Sequence, residues 1–303
     1  MKNNNHKSTF AAILFFGFMF CVAVTSAYAQ NEGDNPILRT TGASILPAGK
    51  IQWNNTLGWD FRKSSFEQYN MPGASTVPNR ITSNMFNYGT NIRFGIGDVA
   101  EIVAGVEAGY HTGHSDVDEY HNSSMLMPSV GVKVKVFDGN GVWPMVSFRT
   151  DIALPIQKYW SDGKSDMHRP EPSLELLMRK KIGNRFFVDG TVGYGFHQFG
   201  VSSFDDGIRY TLAANWLATE RLALGVSFGR RLVHGIADNS YSYVDILYGM
   251  NRHYGVVSMM YQLSPDLQLS LQGCIAGAAS LDNPANKYNM ASDLMVGVHW
   301  MIK

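Results

Sequence analysis

Apolar and polar residues alternate with a period of two along most of the chain. Ile51, Trp53, Leu57, Trp59 and Phe61 fall on one parity, and Gln52, Asn54, Thr56 and Asp60 on the other. Such alternation predicts a strand whose two faces meet different surroundings. At roughly a dozen residues it outruns the ~5–6 usual in globular sheets. The pattern recurs. Phe86, Tyr88, Ile92, Phe94 and Ile96 oppose Asn87, Gly89, Asn91, Arg93 and Gly95; Ala100, Ile102, Ala104, Val106, Ala108 and Tyr110 oppose Glu101, Gly105, Glu107 and His111. Leu126, Val130, Val132, Val134 and Val136 oppose Ser129, Gly131, Lys133 and Lys135. Further strands carry Val146, Phe148, Ile152 and Leu154, then Phe186, Val188, Val192, Tyr194 and Phe196, then Leu222, Leu224, Val226 and Phe228 on the apolar parity.

The connections separate a soluble sandwich from a transmembrane barrel. Short links fall near Gly97-Asp98, Asp138 to Gly141, Gly183-Asn184, Thr219-Glu220 and Ser264-Pro265-Asp266. Between them come longer polar links: Lys63 to Asn79, Gly113 to Ser124, Gln157 to Pro170, Phe199 to Gly207, His234 to Ser240 or beyond, and Ala278 to Met290. Short and long in strict alternation predict an all-β fold: a single transmembrane antiparallel up-and-down β-barrel of about twelve strands, with short periplasmic turns and longer extracellular loops. Its apolar face meets lipid and its polar face lines the lumen.

Composition agrees. With 45% hydrophobic and 17% charged residues, the chain is too apolar for disorder. After the first thirty residues no run of ~18 apolar residues remains for a transmembrane helix. Formal net charge is zero, and residues 1–29 hold Lys2, Lys7 and no acid, so the remainder carries 23 basic and 25 acidic groups. That balance leaves no electrostatic footprint for nucleic acid.

Three regions are predicted. Residues 1–29 read as a secretory signal peptide, with a basic start, an apolar run from Phe10 to Val24, and a cleavage site at Ala27-Tyr28-Ala29. Residues 30–48 form an N-terminal segment, periplasmic or tucked into the lumen, and residues 49–303 form the barrel. Cys21 leaves with the signal peptide, so Cys274 has no partner within the mature chain and no disulfide framework is expected.

Four stretches carry a resemblance: Leu46-Pro47-Ala48-Gly49-Lys50, Ile92 to Ile102, Asp151-Ile152-Ala153-Leu154-Pro155, and Tyr261 to Leu269. They resemble the outer-membrane transporter family of the meta-pathway of phenol degradation. The resemblance implies a monomeric channel in the bacterial outer membrane that admits small aromatic or other hydrophobic molecules. It implies no catalytic residues and no cofactor. Outer-membrane lipid, a small-molecule solute and, during biogenesis, the barrel assembly machinery are the expected partners. The chain departs from the usual barrel ending, because Met301-Ile302-Lys303 follow the last aromatic residue, Trp300.

Parity nominates the lumen lining: Arg93, Glu101, Glu107, Lys133, Lys135, Arg149, Asp151, Glu175, Arg179, Asp189, His197, Arg209 and Arg231. Both signs occur on neighbouring strands, the composition of a salt-bridged ladder that also narrows a pore. Trp53, Trp59, Phe94, Tyr110, Trp216, Tyr261 and Trp300 lie on the apolar parity and read as interfacial girdles. His111, His114 and His121, among Asp116, Asp118 and Glu119, contain metal-ligand chemistry but fit no spacing template, and a solvated polar loop is the better account. His197, Asp189 and Ser202 contain the elements of a hydrolase triad without a nucleophile motif. A lipid hydrolase would need serine and histidine on the lipid-facing parity, whereas His111, His197 and His299 take the inward one. A structural or adhesive barrel with partner-binding loops is the remaining alternative.

Register is expected to follow from parity. Gly95 opposite Val99 would set Arg93 directly opposite Glu101, and Leu263 opposite Leu267 would close a second hairpin in the same way.

Overall fold

The computed structural model describes residues 42–68, 77–115, 121–154, 156–158, 170–195, 207–233, 252–278 and 288–302. Its strands are β1 (Ile51–Gln68), β2 (Val77–Ile96), β3 (Ala100–Ser115), β4 (His121–Phe137), β5 (Met145–Ala153), β6 (Gln157–Lys158), β7 (Glu171–Ile182), β8 (Phe186–Gly195), β9 (Gly207–Leu217), β10 (Leu222–Val233), β11 (Arg252–Ser264), β12 (Leu267–Ala278) and β13 (Tyr288–Ile302). Each pairs antiparallel with its neighbours, and β1 pairs with β13 to close the wall. The two-residue β6 continues β5 along β4. The amides of Leu154 and Ile156 donate to the carbonyls of Pro128 and Leu126, and Leu126 then faces Gln157. The wall therefore has twelve strands.

The two faces separate as the alternation requires. Leu57, Phe86, Ile92, Val106, Val130, Phe148, Val192, Leu212, Val226, Val257, Leu271 and Val296 are exposed on the outside. Gln52, Asn54, Arg93, Glu101, Lys133, Glu175, Asp189, Asn215, Gln268 and His299 are buried on the inside. This inversion of ordinary burial is stable only where the outer face meets lipid, because a closed barrel satisfies every wall amide and leaves no edge.

All five short links are turns between consecutive strands. The six longer ones have tips outside the described residues, but the strands beside them run further than the alternation suggests. β1 reaches Gln68 and β2 begins at Val77. Where a hairpin rises into water both faces are wet, so the ladder continues without a period-two pattern to reveal it. Trp59 and Tyr110 consequently lie within β1 and β3, not at their ends.

Register departs from expectation in one hairpin and closes differently in the other. Ile96 pairs with Ala100 and Gly95 with Glu101, which places Val103 opposite Arg93. The three-residue loop is Gly97-Asp98-Val99, one position later than expected, with Gly97 at φ 58° supplying the left-handed conformation. A slip by one position at each side preserves parity, so the parity argument could not exclude it. Between β11 and β12 the expected ladder holds as far as Gln262 opposite Gln268, but Ser264 then pairs with Leu267 around a bulge. The turn shortens to Pro265-Asp266, and Leu263 does not pair with Leu267.

The residues after Trp300 belong to the wall. Met301 and Ile302 pair with Gln52 and Ile51, and the Met301 amide donates to the Asp266 carbonyl at 2.7 Å.

Candidate functional site

The periplasmic end of the lumen is occupied by the chain's own residues. Ala43, Ser44, Ile45 and Leu46 are buried. An extended segment brings unpaired backbone groups into the barrel, and each must find a partner there. The inner wall supplies them. The Leu46 amide donates to Glu101 Oε2 at 2.9 Å. Lys133 Nζ donates to the Ser44 carbonyl and Ser147 Oγ to the Ala43 carbonyl, each at 2.5 Å. Arg179 Nη1 donates to Ser44 Oγ at 2.6 Å.

Local geometry explains how the segment enters. The chain turns at Pro47-Ala48-Gly49-Lys50, where the Lys50 amide returns to the Pro47 carbonyl and Gly49 sits at φ 72°. Gly49 and Lys50 then exchange backbone hydrogen bonds with Gly95 on β2. A side chain on Gly95 would collide with the carbonyls of Pro47 and Leu46, so glycine here is a clearance requirement.

Two ion-pair clusters hold this layer. Arg93 reaches Glu101 through both Nε, at 3.0 Å, and Nη2, at 2.7 Å, and also donates to Gln52 Oε1 at 2.8 Å. Lys133 Nζ lies 3.1 Å from Oε1 of the same carboxylate. The expected Arg93–Glu101 pair thus forms diagonally across the shifted register. Arg179 grips Asp189 through Nε at 2.6 Å and Nη2 at 3.0 Å, and Asn215 donates to Asp189 Oδ2 at 2.8 Å. Buried charges of this kind are tolerated only when their lone pairs and protons are matched. Beside them, Phe187, Leu217, Ala223 and Met260 form an inward apolar cluster on β8 to β11. Ala43 packs with Met145 and Leu177 in another.

The remaining nominated residues lie further out or elsewhere. Lys135 pairs with Asp138 at the β4–β5 turn. Arg149 bridges Asp151 at 2.6 Å and reaches towards Glu175, which also pairs with Arg209. Glu107 shares the inward parity of Glu101 yet is exposed, the condition of a carboxylate facing an open, wetted lumen. Arg231 pairs through its backbone with Arg209 and Arg252. His197 and Ser202 lie outside the described residues.

Sequence reasoning passed over a neutral network on the adjoining strands β12, β13, β1 and β2. Ser270 Oγ lies 2.8 Å from His299 Nε2, His299 Nδ1 lies 2.9 Å from Asn54 Oδ1, and Asn54 Nδ2 donates to Asn91 Oδ1 at 2.8 Å. Asn54, Asn91, Ser270 and His299 share the inward parity of the nominated charges, which was the available signal. Of the three histidines with metal-ligand chemistry, His114 is exposed, and the side chains of His111 and His121 lie outside the described residues. Asp116, Asp118 and Glu119 lie outside the described residues. Among the described residues no group of three potential ligands is placed to hold a metal ion.

On the outside, Trp53, Phe94, Trp216, Tyr261 and Trp300 ring the periplasmic end, with Phe186 stacked on Trp216 at 6.3 Å between centroids. Outward polar side chains satisfy the aromatic donors: Trp53 Nε1 donates to Thr90 Oγ1, Trp59 Nε1 to Asn84 Oδ1, and Tyr88 Oη to Asn55 Oδ1.

No protein-family model matches this chain, and no curated protein matches it. Solved structures do. The COG4313 outer membrane channel from Pseudomonas putida F1 superposes with a TM-score of 0.61 at 12% identity, over 86% of this chain and 98% of its own. The translocator domain of the autotransporter NalP from Neisseria meningitidis gives 0.49 at 12% identity, over 97% of each chain. The Pseudomonas putida toluene transporter TodX gives 0.44 at 9% identity, over 89% of this chain and 98% of its own. At these identities the likeness is one of fold. This is a closed twelve-strand antiparallel β-barrel that resembles bacterial outer-membrane channels.

Proposed function

We propose that this chain is a bacterial outer-membrane channel for passive uptake of small molecules, aromatic or otherwise hydrophobic in class. The observation that carries the reading is the closed wall with an exposed apolar exterior and an interior of charge, amide and glycine. Such a wall separates lipid from a polar passage. The solute class comes from the resemblance to the meta-pathway family. In this reading the first 29 residues, which lie outside the described residues, are a signal peptide removed on export. The mature barrel is monomeric, it is inserted by the barrel assembly machinery, and its nominated inner-wall charges shape what passes. Residues 43–46 obstruct the periplasmic end, so passage requires that they shift or that solute slip beside them.

A lipid hydrolase is less well supported. Ser270, His299 and Asn54 have a serine–histidine–amide order, but they are buried on the inner face where membrane lipid does not reach. A solved structure that shares this fold is described as an outer membrane channel.

Swelling of proteoliposomes in a panel of neutral aromatic and hydrophilic solutes tests the proposal. Swelling that favours small aromatic solutes is expected. Vesicles that swell in none of them, or a mature protein recovered soluble from periplasm, would overturn it.

A further inference from the structure

The periplasmic girdle is uneven. Its tryptophans and tyrosine stand on β9 (Trp216), β11 (Tyr261), β13 (Trp300) and β1 (Trp53), all exposed on the outer face. Among the described residues, the outward positions at the periplasmic ends of β3, β4, β5 and β7 carry Ile102, Val134, Phe137, Val146, Met178 and Ile182, with no tryptophan or tyrosine. This is the arc whose inner face binds residues 43–46. A tryptophan at the bilayer interface sets its apolar body among acyl chains and its N–H among headgroups, a double contact that phenylalanine and valine cannot make. The strands of this arc offer no such anchor of their own.

The β4–β5 turn supplies one. At residues 138–144 it is the longest of the five turns, and its own hydrogen bonds fix its shape. Gly139 takes φ 78°, Asn140 Oδ1 accepts from the amides of Val142 and Trp143 at 3.0 and 2.8 Å, and the Asn140 amide donates to the Trp143 carbonyl at 3.0 Å. The turn is also tied to the outer surface. Lys180 has the parity of Leu174 and Leu176, which are exposed on the lipid face, yet it is only 6% exposed, and its Nζ donates to the carbonyls of Asn140 and Gly141. The turn therefore folds back against the outside of β7 instead of hanging below the lumen. Val142 and Trp143 stay uncovered there, Trp143 at 54%.

We propose that the β4–β5 turn is a membrane anchor, with Val142 and Trp143 inserted at the headgroup–acyl boundary of the inner-leaflet phospholipids. Continuity with the lipid-facing wall names the occupant. Phe137, exposed and opposite Val146, carries that surface to the foot of the turn, and Trp143 fills the gap that the strands leave between β3 and β7. Lys180 is the positioning group. A lysine on a lipid-facing wall ordinarily extends its ammonium to water, whereas here the ammonium binds the turn and holds it at the level of the girdle. The inference concerns how the wall sits in the membrane and holds whichever solute passes.

Spin labelling of the purified full-length barrel in vesicles of phosphatidylethanolamine and phosphatidylglycerol tests the anchor. A nitroxide is placed at Val142→Cys in a Cys274→Ser background, and a reference nitroxide at Asn184→Cys in the exposed β7–β8 turn. Relaxation by oxygen, which enters lipid, is compared with relaxation by a nickel chelate, which stays in water. The oxygen-to-chelate ratio should be about fivefold higher at position 142 than at the reference, as for a residue set into the interface. Adding Lys180→Ala should bring it to within about twofold of the reference, because the turn loses both of its bonds to that side chain. Heat-modifiability on gels checks folding. Equal ratios at the two sites would overturn the anchor, and so would protection of position 142 from both reagents, the mark of contact with a second copy. A ratio that Lys180→Ala leaves unchanged would overturn the role of Lys180. Should the labelled variant not fold, tryptophan quenching decides with Trp143→Leu alone. The fluorescence that this substitution removes should be the part quenched by brominated phospholipid, and finding it instead in the part quenched by aqueous acrylamide would overturn the proposal.

Discussion

The lower lumen has two differently built sides. On β2, β3, β4, β5, β7 and β8 the wall presents Arg93, Glu101, Lys133, Ser147, Arg179 and Asp189, and these side chains bind one another and residues 43–46 together. On β12, β13 and β1 it presents Ser270, His299 and Asn54, which bind each other and Asn91. Both sides are buried and polar, but among the described residues only the first has its hydrogen bonds completed by the N-terminal segment. Charge is useful there because ionised donors and acceptors make the stronger hydrogen bonds to backbone groups. A neutral chain of hydroxyl, imidazole and amide can instead close on itself. The comparison indicates that the segment is held from one side, so disturbing the charged side should free it, while disturbing the neutral side should weaken the barrel and leave the segment seated.

The largest effect is expected from Glu101→Ala. It leaves Arg93 and Lys133 buried without their shared carboxylate and removes the acceptor of the Leu46 amide, at a cost of about 3–5 kcal/mol. In a Ser44→Cys background, it should also speed maleimide labelling from the periplasmic side by at least about tenfold, equivalent to about 1.4 kcal/mol lost from seating. Equal labelling rates would show that the charged side does not hold the segment.

Next comes a contrast between the two faces of one strand. Val132→Arg puts charge on the lipid face of β4 and should destabilise by about 2–4 kcal/mol in urea unfolding from vesicles. Alternation alone suggests that Lys133→Met costs far less. The structure revises this to about 1–3 kcal/mol, because Glu101 and the Ser44 carbonyl each lose a donor. A negligible effect of Lys133→Met would show that its contacts contribute little.

His299→Ala should cost about 1–3 kcal/mol by leaving Ser270 and Asn54 short of partners, with the Ser44→Cys labelling rate unchanged. Faster labelling would erase the distinction between the two sides.

The smallest change is expected outside the lumen. Lys180 donates to the Asn140 and Gly141 carbonyls at 3.0 and 2.9 Å beneath the β4–β5 turn. Lys180→Ala should lower stability by about 1 kcal/mol without altering labelling, and a larger loss would place the turn among the supports of the wall.

Much of this architecture was legible because a membrane wall imposes a strict period of two. The lipid-facing residues, the five turns and the even strand number all follow from that one constraint. The register of β2 on β3 does not, because two placements of a three-residue loop around Gly97 satisfy the same parity. The bulge before Pro265 is invisible for a related reason: a local extra residue leaves the distant ladder intact. Arg93, Glu101, Lys133, Arg179 and Asp189 were found by parity, but their common purpose was not. Ala43-Ser44-Ile45-Leu46 has no periodicity, and what seats it comes from strands far away in sequence. Phe187, Leu217 and Met260 break the rule that inward means polar, because at that level the lumen is filled and behaves as a small core.

The seam between β1 and β13 joins residues as distant as Ile51 and Ile302. Every other wall pairing joins consecutive strands, so closing this seam carries the largest loop-closure entropy and should be the slow event in folding. Residues 43–46 immediately precede β1 and finish inside the wall. They must therefore be drawn in as an open sheet curls around them, or be threaded through a finished ring. The curling route avoids the passage of a chain through a closed barrel and lets Glu101 and Lys133 act as an early anchorage. The order of events can be read in refolding kinetics, where Trp53 and Trp300, facing each other across the seam, would report closure and a probe at Ser44 would report capture.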